Sequence, residues 1–462
     1  MLFWLLTFFI ILVPLVIIHE LGHFFAAKNV GITVLEFGIG FPPRAATLFT
    51  RGDTIYTLNW IPIGGFVRPY GEDMVRPKTD EEMEADLQEI EGRHIENPKS
   101  VFEAGPWERL WFMFAGPLAN FIAAFFIFVL IAVIGQPYRE ESGVAVSSVL
   151  DESPAAAAGL QEDDFITHIA GERVTEVEDF NARVNGPEPV ALTVERDGDS
   201  FETTLAPTTS TDVSDNRVVV LDIVEGWPAD GKLEEGDLIV AVDGEDVHTT
   251  EALIDRTKDR DGETIVYTIE RDGETLDVEL VPENLDASDN AKIGVTIAAF
   301  NPSLGFGYAQ GYDIKTRPAD GPVDAVVTGA EEFAFSMELI VRAPIMLIEG
   351  QLSPEQARPV SIVGIGQIGG EVIRQSIELE AVFPILNFMA IISIALAVTN
   401  LLPIPGLDGG RMVFVFIELL RGKPMEPERE GFVHMIGILF LLSLMAVVIF
   451  WDIVDPIDLN SF

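Results

Sequence analysis

The 462-residue chain contains no cysteine. No disulfide can brace a segment lying outside a reducing compartment, and no thiolate can serve as nucleophile or metal ligand. Basic residues are scarce as well: 29 Lys and Arg stand against 74 Asp and Glu, for a formal charge of −45. A phosphate backbone is gripped through a positive footprint, so the balance excludes a nucleic-acid partner. Intrinsic disorder is excluded too, because 48% of the residues are hydrophobic and they fall in orderly blocks. The acidic excess crowds the polar segments, 80–92 and 161–164 among them. Such a surface suits a halophilic source, where salt screens self-repulsion over a few ångströms.

Charge is wholly missing from residues 1–18, and again from 110–134, 381–407 and a stretch running from about 432 to 451. Each run is long enough to cross a hydrocarbon core of about 30 Å. The first lacks the basic start and small-residue cleavage site of a signal peptide and reads as a retained span. Residues 333–348 are apolar but carry Glu338 and Arg342, which predicts an amphipathic helix at the membrane surface. Lys28, Arg44, Arg51 and Arg68 follow the first run, and Arg411, Arg421 and Lys423 lie between the last two. The positive-inside rule counts Lys and Arg alone, and it places both loops in the cytoplasm, with residues 136–330 and both termini outside.

Residues 143–283 hold an internal repeat. Ser153-Pro154-Ala155 and Trp227-Pro228-Ala229 open the two copies, each continuing into a short glycine-containing helix. Asp164-Phe165-Ile166 then matches Asp237-Leu238-Ile239, and Ala170-Gly171 matches Asp243-Gly244. A helix (177–185; 250–258) and a hairpin around Arg-Asp-Gly (196–198; 271–273) complete each copy, with 207–216 as a polar link. The pattern resembles tandem PDZ domains, which bind extended peptides by adding a strand to a sheet edge. Neither copy has a sharp glycine-rich carboxylate-binding loop, so a purely steric role stands beside peptide binding.

At the end of the first uncharged run lie His19, Glu20 and His23. Histidines four apart share one helix face and can reach one zinc ion, and the glutamate between them can accept a proton from water. A catalytic zinc takes three protein ligands. Among the remaining candidates Asp408 stands out, in Asn400-Leu-Leu-Pro403-Ile-Pro405-Gly-Leu-Asp408-Gly at the inner end of the third run. A buried carboxylate without a partner is destabilising, so its position favours a metal or an ion pair. Taken alone, an aspartate before two glycines can equally be a turn residue. Other divalent ions fit the same ligand set.

The pairing of His-Glu-x-x-His with Asn-x-x-Pro-x-Pro-x-Leu-Asp-Gly resembles the site-2 protease family, intramembrane zinc metalloproteases, in its bacterial form with tandem PDZ domains. The likeness runs over nearly the whole chain. Residues 115–120 (Ala-Gly-Pro-Leu-Ala-Asn120) look like the family's Gly-Pro-x-x-Asn motif, and 60–71 like its membrane-associated β-hairpin. Residues 359–366 look like its Gly-Pro-Val-Ser-Ile segment, except that Arg358 replaces the leading glycine. The resemblance implies zinc held by His19, His23 and Asp408, with Glu20 as general base. It also implies substrate contacts at Asn400, Pro403, Pro405, Gly64, Gly65 and Asn120. On local grounds Asn400 could instead cap a helix, and Gly64 and Gly65 could serve only a tight turn.

The implied fold is a multi-pass α-helical membrane protein of four transmembrane helices, with a membrane-associated β-hairpin and two extramembrane PDZ-like α+β domains. The expected layout is a first span at 1–28, a cytoplasmic hairpin region at 29–106 and a second span at 107–136. PDZ-like copies follow at 137–208 and 213–283, then a linker with a surface helix at 284–380. A third span occupies 381–410, and 411–462 holds a loop and the fourth span. The implied function is cleavage of single-pass membrane proteins within or near their lipid-embedded segments, the PDZ-like copies screening substrates by size or engaging peptide termini. A silent PDZ scaffold would need none of the four polar residues, and a zinc transporter would need polar groups spread through several spans.

Overall fold

The computed structural model describes residues 2–71, 80–184, 186–196, 199–207, 215–224, 226–271, 273–284, 290–348, 358–423, 425 and 427–454. They form two compact units, Met1–Pro137 with Thr316–Phe462, and Tyr138–Lys315.

The first unit opens with helix α1 (Leu2–Asn29). A hairpin follows, of β1 (Val34–Arg51) and β2 (Thr54–Pro69), then α2 (Asp80–Gly92) and α3 (Pro106–Ile134). Pro106 starts α3 with its φ already set, and Glu108 in the first turn accepts from the Gly105 N–H at 2.9 Å. The hairpin is longer than residues 60–71 suggested and folds back twice, at Gly52-Asp53 and again between Leu58 and Gly65, since 55–58 run alongside 36–39 and 65–68 run against them. Its base is held by Glu36, buried and bound by Arg44 at 2.6 Å and Thr57 at 2.7 Å. Arg68 ties β2 to α2 through Asp86 at 3.1 Å and Glu89 at 2.7 Å.

The second unit contains one sheet. Its elements are β3 (Gln136–Val149), α4 (Pro154–Ala157), β4 (Phe165–Ile169), β5 (Glu172–Arg173), α5 (Val177–Val184), β6 (Val190–Arg196) and β7 (Asp199–Leu205). The second copy brings β8 (Arg217–Ile223), β9 (Leu238–Val242), β10 (Glu245–Asp246), α6 (Thr250–Thr257), β11 (Ile265–Arg271) and β12 (Glu274–Leu280). Two further strands, β13 (Val295–Asn301) and β14 (Phe306–Arg317), close the set. The strand order is β12-β11-β9-β8-β13-β14-β3-β4-β6-β7. Residues 295–317 were expected in a linker, yet they complete both copies, β13 beside β8 and β14 beside β3. The reason is core closure: Leu304, Phe306 and Tyr308 are buried with Val144, Ile166 and Phe180 of the first copy, and Ile293 with Val218, Ile239 and Leu253 of the second. Only the first copy forms its short opening helix; residues 227–233 are turns.

The repeated Asp–Arg pair has a structural task. Asp164, fully buried, is bound by Arg196, and Asp237 by Arg271 at 2.6 Å in the matching place. The tips of the two Arg-Asp-Gly turns (197, 198 and 272) and most of the polar link (208–214) lie outside the described residues. The strands flanking those tips pair as expected.

The first unit resumes with α7 (Pro322–Ile348), α8 (Ile362–Glu378), α9 (Phe383–Leu401), α10 (Asp408–Arg421) and α11 (Pro427–Val454). The surface helix expected at 333–348 therefore starts earlier, and Phe333, Met337 and Ile340 pack on α3 and α9. Among the described residues four helices are long and apolar enough to cross a membrane: Thr7–Asn29, Pro106–Ile134, Phe383–Leu401 and Arg429–Val454. They coincide with the four uncharged runs, except that the third ends at Leu401. Asp408 opens a separate helix instead of ending that span, because Pro403 and Pro405 cannot donate to the ladder. Arg358 meets Asp452 of α11 at 2.9 Å, a fully buried carboxylate that also accepts from the Ser361 N–H. That pairing explains how a charged residue is accommodated where the resembled family has glycine.

Helices α1 and α3 touch through Gly22. A Cβ there would lie 2.2 Å from the Ala115 carbonyl oxygen and 2.8 Å from the Ala119 methyl. Gly22→Val should force the pair apart at a cost of about 1–3 kcal/mol. Thermal unfolding of the detergent-purified protein should show a clear drop in Tm, whereas Gly52→Val, where a Cβ meets nothing within 4 Å, pays only for its positive φ.

Candidate metal centre

Helix α1 carries His19 and His23 one turn apart on the face that meets α3, and both rings are buried. Asp408 reaches them from the first residue of α10. Its Oδ2 lies 3.2 Å from His19 Nε2 and 3.3 Å from His23 Nε2, and the two Nε2 atoms are 3.1 Å apart. Donors on a tetrahedral ion with bonds of about 2.0–2.1 Å stand about 3.3–3.4 Å apart. The three atoms thus already sit near the corners of a tetrahedral face. Among the described residues this is the one group of three or more such side chains able to hold a metal ion.

The far sides of the rings bear on the same question. His23 Nδ1 donates to the Phe112 carbonyl at 2.8 Å, which leaves the Nε2 lone pair pointing at the shared centre. His19 Nδ1 lies 3.5 Å from the amide nitrogen of Asn120, a fully buried residue whose amide oxygen has no partner. Turning that amide end for end satisfies the oxygen and gives the His19 N–H an acceptor. Both imidazoles then present lone pairs to one point beside a carboxylate, an arrangement suited to a cation. The residues fit zinc.

Glycines allow the approach. A Cβ on Gly116 would stand 2.3 Å from His23 Nε2 and 2.8 Å from His19 Nε2. Gly409 and Gly410 lie so close under the loop that a Cβ would meet the carbonyl oxygens of Leu401 and Ile404 at 2.3 and 2.2 Å. Arg109 of α3 binds Glu418 of α10 at 2.6 Å and fastens the helix that bears Asp408. Gly116 lies inside a motif read only for Asn120, and nothing in the sequence marked it as the residue that admits the imidazoles.

Glu20 points toward β2, where its Oε2 accepts from the Val67 N–H at 3.0 Å. Gly64 and Gly65 lie at the point where the chain reverses, since 55–58 run alongside 36–39 and 65–68 run against them, so a turn role stands beside their closeness to α1. Gly64 has φ +68 and backs onto Val16, and a Cβ on Gly65 would come 3.7 Å from Glu20 Cγ. Both therefore pass flush against α1 beside the centre. Asn120 proves to be a partner of His19, buried behind the ring, and not a group exposed for substrate. Asn400 does not cap its helix; its amide donates to the Leu396 carbonyl at 3.0 Å. Pro403 and Pro405 occupy the break between α9 and α10.

Gly116→Ala should push the imidazoles off the shared point and strip the bound metal, read as zinc per protein after dialysis. Asp408→Ala should lower zinc affinity by tenfold or more with the helical circular dichroism retained, and full zinc content in that variant would remove Asp408 from the ligand set.

Residues 7–444 match the family described as peptidase family M50. The zinc metalloprotease RasP of Oceanobacillus iheyensis is 26% identical, over 95% of this chain and 96% of its own. The regulator of sigma-E protease RseP of Escherichia coli is 29% identical, over 96% of this chain and 97% of its own. A solved PDZ domain of an SdrC-like protein from Listeria innocua is 26% identical and covers 18% of this chain and 92% of its own, with a TM-score of 0.17.

Proposed function

The chain belongs to peptidase family M50, and from that premise we propose that His19, His23 and Asp408 hold its zinc ion while Glu20 serves as general base. It is a membrane-embedded zinc metalloendopeptidase of the site-2 type, acting in regulated intramembrane proteolysis. The observation that carries the residue assignment is the convergence of three donor atoms within 3.1–3.3 Å of one another. Two of them come from a candidate span and one from the helix start just beyond another.

Bound there, zinc supplies a Lewis acid that lowers the pKa of water and polarises a peptide carbonyl. Phe112 and Asn120 orient the imidazoles from behind. Glu20 leaves the Val67 N–H to take a proton from the attacking water and passes it to the departing amine. A substrate helix satisfies its own backbone hydrogen bonds and has to unwind before it can be cut. The stretch of β2 that passes Glu20 suits an extended substrate segment laid along it, with Gly64 and Gly65 leaving room. The broken segment at Pro403 and Pro405 exposes backbone groups on the other side, and Asn400 can exchange its bond to Leu396 for one to substrate. The preferred substrate is a single-pass membrane anchor with helix-weakening residues near the cytoplasmic side. The Lys and Arg of the two loops support a centre toward the cytoplasm with the PDZ-like copies outside.

The two PDZ-like copies divide the work of substrate screening. Gly294 and Gly305 are equivalent, with φ +78 and +75, so Val295 and Ile297 of β13 correspond to Phe306 and Tyr308 of β14. In the first copy those two rings are buried against Phe180, and Tyr308 donates to Asn181 of α5 at 2.6 Å. Gln310 Oε1 accepts from the Val177 N–H and its amide donates to the Thr175 carbonyl, which closes that groove. In the second copy, smaller side chains leave a cavity of about 570 Å³ between α6 and β13, lined by Leu253, Ile254, Thr257, Val295 and Ile297. The second copy is thus the one suited to an extended peptide terminus, and the first acts as a steric guard.

Glu20→Gln should keep its zinc and lose cleavage of a membrane-embedded reporter by at least a hundredfold; unaltered cutting would reject the assigned base. Ile297→Tyr should fill the second groove as Tyr308 fills the first. Fluorescence anisotropy with peptides of free apolar C-terminus should then show at least tenfold weaker binding to the full chain, and unchanged binding would place the peptide elsewhere.

A further inference from the structure

His434 has no part in the chemistry described above, yet it is fully buried in α11 and touches the loop that delivers Asp408. Its Nδ1 accepts from the Gly406 N–H at 2.9 Å. That bond places the ring proton on Nε2, which faces Glu430 Oε1 at 3.9 Å, and the ring packs edge-on against Phe414 of α10 at 5.1 Å. Gly406 has φ +101, so the loop takes a conformation that few residues adopt and that needs holding. Pro403 and Pro405 leave this turn short of donors, and the Gly406 N–H is one it retains. Beside it, a Cβ on Gly437 would lie 1.9 Å from the Pro405 carbonyl oxygen, and one on Gly406 would lie 3.0 Å from Ile438. Helix α11 is therefore seated directly on residues 405–406 through His434, Gly437 and Ile438, positions one turn apart on one face.

We infer that His434 is a positioning residue for the metal centre: it anchors the Gly406 peptide, and through it fixes the start of α10 so that the Asp408 carboxylate meets both imidazoles. The inference rests on Asp408 being a ligand, but its failure is separable from the failure of that reading. Asp408 could bind zinc with or without help from the last span.

The test compares His434→Asn, His434→Gln and His434→Phe in the full-length protein, each titrated with zinc alone against a competing chelator. An Asn oxygen takes the place of Nδ1, whereas a Gln oxygen takes the place of Nε2. The Asn variant should hold zinc within about threefold of the parent. The Gln and Phe variants should bind about 10–100-fold more weakly, the range seen when partners behind metal ligands are lost. Cleavage by the Gln variant should recover at high zinc with KM for a reporter unchanged, because the defect lies in loading the site. The proposal is overturned if Phe binds zinc as the parent does, or if Asn and Gln are equally impaired. Should Phe fail to fold, the Asn–Gln comparison still decides.

Discussion

Two imidazoles and a carboxylate are held with their Nε2 and Oδ2 atoms 3.1–3.3 Å apart and largely out of solvent. Without a cation or shared protons this cluster repels itself, and burial removes the water that would soften the repulsion. Much of the surrounding structure serves to impose the arrangement. Gly22 lets α1 and α3 approach, Gly116 leaves a space that the rings occupy, and Gly409 and Gly410 allow the loop to fold over the start of α10. Phe112 and Asn120 stand behind the rings, and Arg109 with Glu418 ties α10 down.

The same economy governs the glutamate between the two histidines. Glu20 is parked on a backbone N–H of β2, so the hairpin proposed to receive substrate also holds the proposed base. Proteolysis in lipid requires a helix to be opened before it is cut, and a strand edge beside the centre offers the freed backbone new partners. In the second unit, the two copies differ in the side chains that face their grooves. Phe306 and Tyr308 are buried against Phe180 in the first copy, whereas Val295 and Ile297 line a cavity of about 570 Å³ in the second.

The four helices that, among the described residues, are long and apolar enough to cross a membrane could be read from uncharged runs because lipid tolerates little charge, and that signal needs no tertiary context. His19, Glu20 and His23 were readable from helical spacing, and Asp408 from the oddity of a carboxylate beside an apolar run. What escaped depended on contacts distant in sequence. Residues 295–317 looked like a linker because the strands they pair with lie far back in the chain, β8 for β13 and β3 for β14. The extent of the hairpin was missed because residues 34–51 alternate poorly, and the approach of Asn120 to His19 was invisible because the two lie 101 positions apart. Gly116 and His434 act through distances that no local pattern encodes.

The central claim, that two imidazoles and one carboxylate share a single zinc, is tested most directly by X-ray absorption at the zinc edge on the purified, zinc-loaded protein. The account predicts four light donors at about 2.0–2.1 Å, two with the outer-shell scattering of imidazole and two oxygens, and no sulfur. A six-oxygen shell, or scattering from one imidazole or none, would contradict it.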